Sequence, residues 1–462
     1  MWFRRDLRLT DNTALLHALS ESEIVSCIFI YDEHILKSLP SNDRRLSFIW
    51  ESLEDMNNRL IEKQSGLIRM FYGKPEELIP RIISASKIDA LYINHDYEHA
   101  AIERDNRIRL LCEQIGVRFS TFKDQVIFEK SEIVKSDNSP YKVFTAYKNL
   151  WLAELDELPP DSFRHPPLAW DKFQTLPKKG SIQKIGEIGF NSVVNTIKGG
   201  ETAARAHWRS FYKDLLDDYI YNRDLPGKDN TSYLSPYLRF GNISVRELVV
   251  HLKALRSKSA QIFLSELIWR EFFMMILFHF PHVTQKAFNA QYDTIQWQNR
   301  EDWFTAWCEG RTGFPIVDAG MRQLNETGFM HNRVRMITAS FLVKHLHIDW
   351  RWGEKYFAEK LLDFELSSNN GNWQWAAGTG VDASPYFRIF NPVTQSKKFD
   401  PEGLYIKRWI PELNNCSSKE IHEPSKHCPS SFSSKYPRPI IDLNVERKVC
   451  LQLYGYRSSA KK

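Results

Sequence analysis

Residues 363–392, DFELSSNNGNWQWAAGTGVDASPYFRIFNP, mix acids, amides and aromatic rings more densely than a plain core or a solvated loop requires. Asp363 and Glu365 lead into Asn369 and Asn370, Trp373 and Trp375 stand two residues apart, and Arg388 lies among rings. Buried polar groups need hydrogen-bond partners, and solvated loops carry few large aromatics. The mixture suits a pocket for a flat, polar-edged ligand; a polar loop on an aromatic core is the other reading these residues allow. Glu266, Trp269, Arg270 and Phe273 recur at three- and four-residue spacing, which places them on one face of a helix. A carboxylate on the same face as an indole must be paired once buried; core packing with an ion pair at its edge fits the pattern as well. MHNRVRM (330–336) sets Asn332 and Met336 four residues apart, flanked by Arg333 and Arg335. Amides can read base edges and guanidinium groups can hold phosphates. Tyr219 and Arg223 lie one helical turn apart, ahead of the hydroxyl-rich turn TSYLS (231–235). Such a turn caps a helix or offers hydroxyl and N–H groups to phosphate.

The elements that must position these groups divide into two styles. Over residues 1–128, the segments 24–32, 67–73, 90–97 and 117–128 read as strands rich in β-branched and aromatic residues. Stretches 44–64, 74–87 and 100–116 carry the apolar spacing of helices. Their alternation predicts a parallel sheet with covering helices, an α/β domain of Rossmann type. Only Met1 precedes WFRRDLR, so the first strand is expected to be short. Residues 129–195 lack sustained periodicity, carry Pro pairs at 159–160 and 166–167, and read as a linker with one short helix near 141–152. From 196 to 462 the pattern is helical, ending in a frayed RSSAKK tail.

Composition narrows the function classes. With 462 residues, 42% hydrophobic and 26% charged, the chain is an ordinary globular sequence of two-domain length. A net charge of +5 permits nucleic-acid binding without requiring it. No phosphate-cradling glycine motif follows a strand of the first domain and no GxxxxGK[ST] occurs, which excludes ordinary dinucleotide and NTP sites. No apolar run reaches membrane-spanning length and no signal segment opens the chain, so a cytoplasmic location is expected. The six cysteines are scattered, as reduced thiols are, and Cys416, His422, His427 and Cys428 match no standard zinc spacing.

The blocks NNGNWQWAAGTG and YFRIFNP resemble the flavin-binding signature of the DNA photolyase/cryptochrome family. The resemblance extends in order through WFRRDLRLTDN (2–12), YKVFTAYKNLW (141–151), TSYLSPYLRFGNIS (231–244), ELIWREFF (266–273), the long block 311–350 and FDPEGLYIKRWIPEL (399–413). Among the branches of the family, the chain looks most like class I cyclobutane pyrimidine dimer photolyases. The resemblance implies an N-terminal α/β antenna-type domain and a C-terminal all-helical FAD-binding domain. It also implies light-dependent repair of pyrimidine dimers in single- or double-stranded DNA, by electron transfer from excited reduced FAD to a flipped-out dimer and back. One non-covalent FAD, a monomer, and a location at the nucleoid when DNA is bound belong to the same expectation. A blue-light sensor of cryptochrome type and a (6-4) photolyase are the alternatives.

Carried over residue by residue, the resemblance gives FAD to Tyr219, Thr231, Ser232, Tyr233, Leu234, Ser235, Phe263, Arg270, Arg335, Asp363, Phe364, Glu365 and Asn369. Phe263 departs from the tryptophan usual at its position, and Asn369 falls where the family faces flavin N5. Lesion and DNA contacts fall to Arg223, Glu266, Trp269, Arg270, Asn332, Arg333, Met336, Trp375, Gln395 and Lys398. Glu266 and Asn332 would read the pyrimidine edges, and Asn332 replaces the second histidine of (6-4) enzymes. Trp373, Trp350 and Trp297 match a three-step electron relay. The α/β domain would carry a second, antenna chromophore: a folate, a deazaflavin or a flavin. Ala100 and Ala101 stand where the folate-binding branch has an Asn-Glu pair, which disfavours folate.

Overall fold

The computed structural model describes residues 1–159, 161–428 and 435–455, so the expected RSSAKK tail lies outside the described residues. Packing divides the chain into two units. The first comprises residues 1–141, 145–216 and 232–279; the second comprises 142–144, 217–231 and 280–462. These boundaries run across those drawn at 128 and 195 from the sequence, because residues 232–279 of the helical region pack within the first unit.

The first unit is built on parallel strands. β1 (Trp2–Phe3), β2 (Ile28–Asp32) and β3 (Arg69–Gly73) form one sheet in the order β1-β2-β3, with Trp2 opposite Ile28 and Ile30 opposite Phe71. β4 (Ala90–Asn94) and β5 (Arg118–Phe122) pair separately. β4 packs beside β1, but a two-residue strand is too short to bind ladders firmly on both edges. Helices Arg44–Glu62, Pro75–Ser86 and His99–Gln114 occupy the connections, as right-handed parallel crossovers need. Trp2, Ile28, Ile30, Phe71, Leu91, Ile93 and Ile108 form the core of the sheet.

All four expected strands are shorter than the sequence suggests, the first because it begins late and the last because it ends early. Val25 makes only an isolated bridge, to Phe173. Residues 123–128 are not a strand because the backbone N–H groups of Ile127 and Phe128 donate to the Glu271 carboxylate, at 2.8 and 2.9 Å. The linker holds the helix Phe144–Glu157 and two short 3-10 turns. Gly241 has φ +70° and lies so close to the Arg5 backbone that any Cβ would collide with it.

The second unit is helical. Helices Pro315–Thr327, Asn332–Lys344, Trp350–Lys360 and Leu366–Ala377 pack on one another around Val317, Leu324, Phe341, Leu342, Trp350, Phe357 and Trp373. Gly353 sits where the Trp350–Lys360 helix crosses the Trp373 ring, with no room for a Cβ. One correction concerns the cysteines. Cys416 and Cys428 are joined as a disulfide with Cα atoms 6.0 Å apart, while Cys27, Cys112, Cys308 and Cys450 are free. The intervening residues 417–427 fold back on themselves, and His422 pairs with Ser396 at 2.7 Å. Among the described residues, no helix is long and apolar enough to cross a membrane.

Candidate functional site

In the second unit, Glu365 stands at the N-cap of the helix Leu366–Ala377 and Gly378 closes its end. Residues four apart share a face of a helix, and this sorts the amides of NNGNWQW. Asn370 and Gln374 turn to architecture: each donates to the Val283 carbonyl at 3.0 Å, and Gln374 also donates to Asn370 Oδ1 at 3.1 Å. Asn369 turns elsewhere. Its Nδ2 donates to the Glu354 carbonyl and to Glu354 Oε1, both at 3.0 Å. A backbone carbonyl only accepts, so the amide nitrogen must face Glu354, and Oδ1 faces away. Among the described residues Asn369 Oδ1 accepts nothing. Burial pushes the Glu354 carboxyl up, opposed by the Asn369 bond.

Further polar groups stand close to this amide in the chain. Arg335 forms a two-pronged pair with Asp363, Nη1–Oδ1 at 3.2 Å and Nη2–Oδ2 at 2.8 Å, while its Nε donates to the Met330 carbonyl. Glu365 is buried, Phe364 is half-buried, and the Ser367 hydroxyl is buried without a hydrogen-bond partner. A buried hydroxyl left unpaired is uncommon and calls for a ligand or water.

The helix Asn332–Lys344 begins at His331, whose Nδ1 accepts from the Arg333 N–H at 3.2 Å. Burial pushes the His331 ring down to about 4, so it is neutral near pH 7. Asn332 is exposed and Met336 half-buried. Arg333 lies 4.4 Å from the Phe399 ring centroid and its Nε and Nη2 donate to Asp224 Oδ1. Gln395 and Lys398 share one face of the helix Pro392–Phe399, and the Lys398 ammonium also lies over Phe399, at 5.0 Å. Arg223 stacks on Tyr219 at 5.3 Å, and Thr231 is half-buried. Trp373 and Trp350 belong to one buried core, with half-buried Trp297 and Trp375 at its edge. Trp373 meets Trp307 edge-on at 6.1 Å, and Trp297 meets Tyr454 at 6.1 Å.

The first unit holds the rest. The helix Lys258–His279 carries Glu266, Trp269 and Arg270, each half-buried. Trp269 packs on Phe272 and Phe273 with centroids at 5.6 and 5.4 Å. Arg270 donates to the carbonyls of Gln125 and Leu238, at 2.8 and 3.3 Å. Phe263 is buried against Phe211 and Trp208. Ser232 Oγ accepts from the Leu234 N–H at 3.4 Å, Tyr233 adopts φ 52°, and the helix Ser235–Phe240 starts without a side-chain cap.

The structure therefore brings together Arg335 with Asp363 and Tyr219 with Arg223, while Thr231 falls in the second unit and Ser232–Ser235 in the first. Sequence reasoning missed Glu354, Ser367, Trp307 and Asp224. Asp224 follows Arg223 directly, which was a usable signal; Glu354 and Trp307 approach their partners only through packing. The donor set fits a flavin. An amide oxygen without a donor and a guanidinium–carboxylate pair complement a ring edged with N–H and carbonyl groups.

Comparison with known proteins agrees. Residues 1–167 match the family model described as DNA photolyase, and residues 263–456 match that described as the FAD binding domain of DNA photolyase. The deoxyribodipyrimidine photo-lyase of Vibrio cholerae is 37% identical over 479 residues, covering 98% of both chains. The crystal structure of a class III photolyase from Agrobacterium tumefaciens superposes with a TM-score of 0.88 at 35% identity, over 99% of this chain and 97% of that one. An archaeal photolyase from Sulfolobus tokodaii, solved with two FAD molecules, gives 0.84 at 37% identity, over 98% and 99%.

Proposed function

The chain belongs to the DNA photolyase family, enzymes of light-driven DNA repair with an FAD-binding domain, and we propose that its substrate is the cyclobutane pyrimidine dimer. The observation that carries this reading is the pair His331–Asn332. His331 is buried, held neutral, and has Nδ1 committed to capping a helix. It is a poor proton donor, and the neighbouring Asn332 is an exposed amide rather than a second histidine. That arrangement suits reading a pyrimidine edge by hydrogen bonds and gives no support to acid catalysis of (6-4) type.

FAD, when bound, supplies the light-driven one-electron chemistry that opens the four-membered ring without net redox change. The protein's own residues do the rest. Asn369 Oδ1, turned away from Glu354 because the amide nitrogen is held there, would accept a hydrogen bond from a flavin N–H. Arg335 and Asp363 hold their two-pronged pair, and Glu365 stands at the N-cap of the helix that carries Asn369. Tyr219, Thr231, Ser232, Tyr233, Leu234 and Ser235 take the remainder of the dinucleotide, and Phe263 supplies an apolar surface. Trp373, Trp350 and Trp297 form a relay of rings from the buried core to its half-buried edge.

A dimer stacks and pairs poorly, so extruding it costs only a few kcal/mol. Trp269 and Trp375 stack on it, worth ~1–3 kcal/mol per base, while the Asn332 amide stabilises negative charge that develops on a pyrimidine oxygen and Glu266 accepts from a pyrimidine N–H. Arg223, Arg333, Gln395 and Lys398 grip the backbone in a salt-sensitive, sequence-tolerant way. For the second chromophore, the two FAD molecules of the Sulfolobus relative favour a flavin over the deazaflavin and folate.

The test is a photorepair assay with pre-reduced protein and oligonucleotides carrying one thymine cyclobutane dimer or one (6-4) product, in blue light and in darkness. Light-dependent recovery of thymines from the cyclobutane substrate alone is expected. Repair of the (6-4) substrate would overturn the assignment, and FAD binding without repair of either would point to a light sensor.

A further inference from the structure

Arg333 is already bound to an anion. Its Nε and Nη2 both donate to Asp224 Oδ1, at 3.1 and 2.8 Å, and the guanidinium is laid on the Phe399 ring. Guanidinium groups take carboxylate and phosphate with the same planar fork. Arg333 is 18% exposed and Asp224 39% exposed, so the pair lies where a larger anion can reach it. Lys398 stacks on the same Phe399 ring, so two cations share one aromatic platform and Asp224 neutralises one of them. Asp224 itself lies next to Arg223 in the chain.

We propose that Asp224 stands in for a DNA phosphate: it occupies Arg333 in the free protein and must be displaced before a backbone phosphate takes the fork. The inference rests on the DNA-repair reading above and adds a selectivity residue to it. A phosphate approaching the pair meets a carboxylate as well as a guanidinium, so undamaged duplex gains little from Arg333. Only DNA held in place by other contacts, those of an extruded lesion, stays long enough to exchange the partner. Asp224 is thus a positioning residue that sets how much of the charge on Arg333 DNA can feel. Phe399 keeps the guanidinium plane in place during the exchange.

The test compares wild type, Asp224→Asn, Arg333→Gln and the double variant, measuring affinity for undamaged duplex against salt concentration. Asp224→Asn preserves shape and removes the charge, and Asp224→Ser serves if the amide variant melts early. The expected result for Asp224→Asn is tighter binding of undamaged duplex by severalfold, a salt slope steeper by about 0.9, and a smaller ratio of damaged to undamaged affinity. The gain should vanish in the Arg333→Gln background. Unchanged or weaker binding of Asp224→Asn, or a gain that persists without Arg333, would overturn the inference. If Arg333→Gln alone leaves the affinity for lesion-carrying duplex and its salt slope untouched, the DNA-face assignment itself fails, which is a separate outcome.

Discussion

Around Asp124 the first unit answers the buried carboxylate from within, with Arg8 Nε left open at its margin, whereas around Asn369 the second unit leaves an acceptor itself unanswered. Asp124 is fully buried and accepts from Arg8 at 2.7 and 2.8 Å, from Arg246 at 2.9 Å, and from both the N–H and the hydroxyl of Thr13 at 3.0 Å. Burial alone would raise its carboxyl, but Arg8 and Arg246 outweigh that and hold it well below the usual carboxylate range. Arg246 also bonds Asp11. Asn369 is nearly as buried, yet its oxygen accepts nothing among the described residues, and the Ser367 hydroxyl two residues away is unpaired. Folding tolerates few open buried groups, since each costs about 1–3 kcal/mol. A closed network marks architecture; an open one marks a place kept for something else.

The largest effect should come from opening the closed network. Asp124→Ala leaves Arg8 and Arg246 buried with too few acceptors and should lower unfolding stability by ~3–5 kcal/mol, read from denaturant titration. A change below ~1 kcal/mol would show that the network is not closed in solution. Next is a ring that belongs to the packed core and to the proposed relay. Trp373→Phe should cost ~1–2 kcal/mol of stability through lost packing. It should also slow light-driven reduction of the oxidised holoenzyme while leaving repair by pre-reduced enzyme nearly intact. Equal loss of both activities would remove Trp373 from the relay. Smallest in stability is Asn369→Ala, which removes the unanswered oxygen together with the amide N–H held by Glu354: about 1 kcal/mol in unfolding, with FAD retention weakened about tenfold, the worth of one hydrogen bond. If this variant unfolds as readily as Asp124→Ala, the contrast between the two regions collapses.

Much of this was legible beforehand in particular residues. Alternating patterns located the strands and the three longer helices of the first 128 residues, because local propensity and tertiary burial agree there, but passed over the shorter helices Thr13–Glu21 and Glu33–Leu36. Where they disagree the reading erred: Ile127 and Phe128 look like strand but donate to Glu271, a residue 144 positions from Ile127. The cysteines looked scattered because a twelve-residue separation says nothing about whether the intervening chain turns back. In the candidate site, Arg335 and Asp363 were readable as types, and the resemblance named both. Glu354 was not, because nothing in WRWGEKYF distinguishes a carboxylate facing solvent from one beneath an amide.

By itself, then, the chain's order of residues determined its family, its two styles of architecture, and the set of side chains able to do chemistry. Local spacing and motif content carry that much, since both are properties of neighbours along the chain. Only the tertiary structure decided which members of the set are used. Asn369 and Asn370 are identical neighbours, but 100° of helical rotation gives one to Val283 and the other to Glu354. Arg333 and Arg335 are two residues apart, and one meets Asp224 while the other meets Asp363. Partner choice depends on what packing brings opposite each face, and that is a property of the folded whole.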